Sequence, residues 1–99
     1  MKFIVDQDIA GIAKDLRKHG YDCETVTMLI LGHKDSRQRV GDPKIMKFLK
    51  QHPEYTLLTG DAELAKDCRE EGLPVKLLPH SLSPFDQILR LLEVSRSPR

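Results

Sequence analysis

The chain lacks most of the features that would announce a function. No apolar stretch approaches the roughly 18 residues a membrane span needs, and Asp6 and Asp8 interrupt the short apolar run at the amino terminus, so there is no signal-peptide pattern. A cytoplasmic protein with no membrane partner is expected. The only cysteines, Cys23 and Cys68, have no CxxC spacing and read as buried apolar groups, not as a zinc or disulfide pair. The four histidines form no acid–base pattern. No serine or cysteine has a neighbouring base, and no glycine-rich phosphate loop follows the first apolar run. These absences leave covalent catalysis and nucleotide binding of that kind unsupported. A net charge of +1 rules out a strongly basic coat for nucleic acid, though not a local patch.

At 99 residues, 39% of them apolar and 31% charged, the chain suits one folded domain with a single core. Residues 2–6 read as a buried strand. Ile9, Ile12, Ala13 and Leu16 recur at helical spacing, with Gly20 as a C-cap. A short strand over 21–26 follows. The periodicity then fails from Thr27 to Gly41, where a polar, basic stretch reads as a loop. Asp42-Pro43 has the form of an N-cap with proline at the first helical position, leading into Ile45, Met46, Phe48 and Leu49. Further strands are expected over 55–59 and 74–78, separated by a helix carrying Leu64, Ala65 and Cys68. An amphipathic helix from Pro84 follows, whose apolar face would pack on the sheet or on a second copy in a homodimer. The domain spans 1–94, with a tail over 95–99. The order βαβ-αβαβα calls for an α/β fold: a three-layer α/β/α sandwich around a mostly parallel sheet of about four strands.

Two apolar runs break off at carboxylates. Phe3-Ile4-Val5 meets Asp6-Gln7-Asp8, and Leu57-Leu58-Thr59 meets Gly60-Asp61-Ala62-Glu63. Right-handed crossovers would bring both to one sheet edge, where open α/β sheets bind ligands. Two carboxylates about 4 Å apart repel by roughly 4 kcal/mol at an effective dielectric near 20. A hard cation such as magnesium or manganese would relieve that cost, and Asp6, Asp42, Asp61 and Glu63 could supply its oxygen ligands. Each acid also has a structural reading. Asp42 and Asp61 stand where helices begin, Asp8 could cap the first helix, and Glu63 could complement a helix dipole. Asp6 ends a buried strand, where a carboxylate needs a partner.

Taken together, Lys2-Phe3-Ile4-Val5-Asp6, Lys18-His19-Gly20-Tyr21-Asp22, Asp42-Pro43-Lys44-Ile45-Met46, Leu57-Leu58-Thr59-Gly60-Asp61-Ala62-Glu63-Leu64 and Glu71-Gly72-Leu73-Pro74-Val75 resemble the ordered motifs of short PIN-like proteins. Many PIN-like proteins, VapC-type toxins among them, are ribonucleases dependent on Mg2+ or Mn2+. The resemblance implies Asp6, Asp42 and Asp61 as catalytic acids and Glu63 as a further metal ligand. It gives Thr59 the task of orienting a carboxylate or water, with Asp8 in support. It also implies RNA as substrate and an antitoxin protein as a partner. Gln7 stands where short relatives commonly carry glutamate, and Gly60 where they carry arginine or another polar residue. His33, Lys34, Arg37 and Arg39 precede Asp42 and suit an RNA clamp, although a solvated charged loop is the commoner explanation for such residues. Two other functions fit the residues. One is a PIN-like RNA- or protein-binding module without catalysis. The other is a phosphatase resembling the haloacid dehalogenase type, with Asp6 as nucleophile and Asp8 as acid–base.

Overall fold

The computed structural model describes residues 2–32, 39–78 and Asp86. Four strands, β1 (Lys2–Val5), β2 (Asp22–Thr25), β3 (Tyr55–Thr59) and β4 (Val75–Leu77), form an all-parallel sheet in the order β2-β1-β3-β4. Their side chains alternate between two cores, as the pleat requires. Phe3, Val5 and Leu58 face α1 (Ile12–Lys18), where Ile12, Ala13 and Leu16 meet them. Ile4 and Leu57 face the opposite side, against Ile45 and Leu49 of α2 (Asp42–Gln51) and Leu64 and Cys68 of α3 (Ala62–Glu70). The sheet is thus covered on both faces, which explains why β1 reads as a continuous apolar run.

This distribution of helices follows from the strand order. The chain leaves β1 towards β2 in one direction and leaves β3 towards β4 in the other. Right-handed crossovers in opposite directions put α1 on one face and α3 on the other. The winding therefore reverses between β1 and β3, and a crevice opens outside their carboxyl ends. Lys2 to Val5 pair in parallel with Tyr55 to Leu58, and Asp6 N continues the ladder by donating to the Leu58 carbonyl at 2.9 Å. Asp6 and Asp61 consequently emerge side by side from the central strands.

Several local expectations need correction. The helical spacing from Ile9 does not give one helix. Gln7–Ile9 forms a 3-10 turn, Gly11 is the N-cap of α1, and Ala13 N donates to Ala10 O at 3.1 Å. Asp8 therefore does not cap the first α-helix. Nor is 27–41 a loop from its start. Thr27–Leu31 forms a π-helical turn whose Leu29, Ile30 and Leu31 pack on the second core, and Gly32 ends it at φ 78°. An apolar run without helical period can still be held by packing when a wider turn aims it inward. The expected helix from Pro84 and the tail fall outside the described residues, apart from Asp86, which is helical. Among the described residues, no helix is long and apolar enough to cross a membrane. Cys23 and Cys68 are both buried thiols, Cys23 Sγ donating to the Ala13 carbonyl at 3.3 Å.

Candidate functional site

Asp6 leaves β1 in an extended conformation, buried at 9% exposure. Both its oxygens are engaged. Oδ1 accepts from the Gln7 amide at 2.7 Å, and Oδ2 accepts from the Thr59 hydroxyl at 2.7 Å. Thr59, fully buried at the end of β3, also accepts from the Asp61 amide at 3.0 Å. One hydroxyl thus connects the acids that follow the two central strands.

Asp61 caps α3, its Oδ1 accepting from Glu63 N at 2.9 Å and Leu64 N at 3.3 Å. Asp42 differs from the expected cap. Lys44 N and Ile45 N both donate to the Gly41 carbonyl, at 3.0 and 3.2 Å, so Gly41 is the N-cap and Asp42 is the first helical residue. Its carboxylate takes no hydrogen bond among the described residues and is exposed.

A cavity of about 270 Å³ gathers Asp6, Asp8, Asp42 and Asp61 with Gln7, Arg39, Val40 and Gly41. These four acids come from the β1 turn, the start of α2 and the start of α3. Glu63 is exposed on the first turn of α3 and does not line the cavity. Arg39 does line it, whereas His33, Lys34 and Arg37 lie outside the described residues. Asp8 sits in the 3-10 turn, exposed, with its Oδ1 accepting from Gly60 N at 3.4 Å.

The acids feel one another. Burial pushes the Asp6 carboxyl above its ordinary range, and the negative charges of Asp8 and Asp42 push the same way, against the opposing bonds from Thr59 and Gln7. Desolvation likewise raises Asp42, followed by the fields of Asp61 and Asp67. Desolvation first, and then Asp42 and neighbouring acids, lifts the Cys68 thiol to about 11, which keeps it protonated and unreactive.

Sequence reasoning missed Gln7 as a structural part of this site. Its Nε2 donates to Thr27 Oγ1 at 3.0 Å and its Oε1 accepts from Val40 N at 2.9 Å. One side chain therefore ties the β1 turn both to the π-helical turn and to the segment that delivers Asp42. The available signal was a polar residue two positions after a buried strand, where an amide would need partners on both its atoms.

The donor set tests what this cavity could hold. Among the described residues, no three carboxylate, histidine or cysteine side chains converge as a complete ligand group. Magnesium, however, keeps several waters and takes only one or two protein carboxylates. Among the described residues the cavity is lined by carboxylates with no thiol or imidazole, so one or two of its four acids could supply the oxygen donors such an ion takes. The site thus fits a hydrated hard cation better than a fully protein-ligated one. No family model matches the chain, and neither do curated proteins or solved structures.

Proposed function

We propose that the protein is a metal-dependent ribonuclease of the PIN-like type, using Mg2+ or Mn2+ to hydrolyse RNA phosphodiester bonds. One observation carries the reading: Asp6, Asp42 and Asp61, separated by tens of residues in sequence, line one small cavity at the switch point of the sheet, with Asp6 and Asp42 held above the usual carboxylate range. Carboxylates raised first by desolvation and then by neighbouring acids are stabilised in their charged form by a bound cation. When bound, a divalent cation would supply Lewis-acid charge neutralisation and an acidified water for in-line attack at phosphorus.

The chain's residues would do the rest. Asp6 would be the anchoring ligand, because the Gln7 amide and Thr59 hydroxyl fix both of its oxygens while leaving each a lone pair. Asp42, unencumbered by a capping bond, would move to meet the ion. Asp61 would offer the oxygen not used in capping α3. Arg39, on the cavity wall, would hold a phosphate oxygen near the acids.

The test is a manganese titration of thermal stability on wild type and Asp6→Asn, followed by incubation with labelled RNA. At a hundred times the dissociation constant, folded-state binding adds about 2.7 kcal/mol. That should raise the midpoint by about 10 °C or more in a domain of this size. The proposal requires stabilisation of wild type, its loss in the variant, and metal-dependent cleavage. Stabilisation without cleavage would leave the non-catalytic RNA-binding module in its place.

A further inference from the structure

A second, larger cleft adjoins the acidic cavity and shares Gln7 and Arg39 with it. It measures about 440 Å³ and runs between the start of α1 and the carboxyl end of β2. That volume lies in the range of sites that enclose a small-molecule-sized group. Its chemistry is opposite to that of its neighbour. Among the described residues, Lys14, Arg17 and Arg39 line it against a single carboxylate, Glu24. Glu24 is already neutralised by Arg17 Nη2 at 2.6 Å. Lys14 and Arg39 are exposed and have no carboxylate partner among the described residues.

The remaining polar groups suit an anionic ligand as well. Thr25 Oγ1 accepts from Met28 N at 3.3 Å and Thr27 Oγ1 accepts from Gln7 Nε2 at 3.0 Å, so each hydroxyl keeps its proton to donate. Ala10, Gly11 and Ala13 also line it, small residues that take up little of its volume. At Gly11 an added Cβ would meet nothing within 4 Å, so the open space begins at the backbone.

We infer that this cleft is the subsite for a nucleotide flanking the cleaved bond in single-stranded RNA, with its phosphates on Lys14 and Arg39. The inference rests on the ribonuclease reading for the neighbouring cavity. Electrostatics explains why such a subsite is needed. Four carboxylates repel a polyanion, so the strand must be retained by cations placed beside the acids. Arg39, common to both clefts, marks the point where the strand would pass from one to the other. A duplex, with its bases stacked inside, could not offer one nucleotide to a cleft of this size. Among the described residues no aromatic side chain lines the cleft, so affinity should be chiefly ionic and strongly dependent on salt.

The test uses the full chain and a fluorescent ten-nucleotide RNA, with anisotropy in EDTA to separate binding from cleavage. Two phosphate contacts predict a slope of log K against log salt of about −1.4 for single strands. Lys14→Glu should weaken binding about tenfold and reduce that slope by about 0.7 or more. Gly11→Met should fill the cleft and weaken binding at least tenfold. Gly11→Ala serves as its folded control, because the backbone there is right-handed helical and any L-residue fits. Thermal midpoints and manganese-induced stabilisation should match wild type in all three. Wild-type affinity and slope in both Lys14→Glu and Gly11→Met would overturn the subsite, even if RNA is cleaved. Equal binding of the corresponding duplex would overturn it too. Weakened binding in these variants, with no manganese response in wild type, would support the cleft as an RNA site while removing the ribonuclease reading.

Discussion

Thr59 donates its hydroxyl proton to Asp6 Oδ2 at 2.7 Å while fully buried, across 53 positions of sequence. The same oxygen accepts from the Asp61 amide, so a single side chain at the end of β3 fixes the carboxylate that follows β1 and the backbone that starts α3. Any disturbance of Thr59 should therefore appear in stability and, on the proposed function, in cation binding as well.

Replacing Thr59 by Val preserves shape and removes the hydroxyl. A buried carboxylate oxygen and a backbone N–H would then both lose their partner, at a cost of about 2–3 kcal/mol. The midpoint should fall by roughly 8–20 °C, with Thr59→Ser recovering most of the loss. Thermal and urea melts of the three proteins decide it. A Val variant as stable as wild type would show that this bond contributes nothing net.

The raised Asp6 carboxyl has a pH signature. Its ordinary pKa is 3.8, and in the folded protein it lies higher. Between these two values the folded chain holds a proton that the unfolded chain has released. Stability from this group is therefore fully present below 3.8 and is lost as pH rises through the folded value. The stability of wild type relative to Asp6→Asn should increase as pH is lowered through that window. Urea titrations at several pH values test this, and a difference that runs the other way would contradict the direction of the shift.

The expected arrangement was legible where one short segment carries its own cause. Phe3-Ile4-Val5 forms a strand because its residues serve cores on both faces, and Asp61 caps α3 because an aspartate before a helical run can reach the next amides. Asp42 failed by one position. The helix's first carbonyl acceptor belongs to Gly41, and side-chain capping preference carries no information about which carbonyl is used. Thr27–Leu31 escaped because its conformation depends on packing against residues distant in sequence. The gathering of Asp6, Asp42 and Asp61 was foreseeable from strand order, whereas the exclusion of Glu63 from the cavity lining depends on side-chain direction.

Gln7 offers a different perturbation. Gln7→Ala deletes the bonds to Thr27 Oγ1 and Val40 N, which should cost about 1–2 kcal/mol and loosen the segment carrying Asp42. In Gln7→Glu the Val40 amide keeps an acceptor, and the Thr27 hydroxyl can reverse to donate. The added acid should lower stability without metal and enlarge the increment produced by manganese. Thermal melts with and without millimolar manganese would show the crossing. Equal increments in wild type and Gln7→Glu would mean that no cation approaches this side of the cavity.

Asp61 has two duties that substitution can separate. As the cap of α3, its Oδ1 serves two amides, so Asp61→Ala should lose about 1 kcal/mol, or roughly 4–8 °C. Asp61→Ser retains a capping oxygen and should stay within a few degrees of wild type, yet it removes the negative charge facing Asp42. If Asp61 also serves a cation, both variants should lose most of the manganese stabilisation, although only the alanine variant loses the cap. Melting curves across a manganese series provide both readings. A serine variant that keeps the full manganese response would confine Asp61 to capping and leave Asp6 and Asp42 to hold the ion with water.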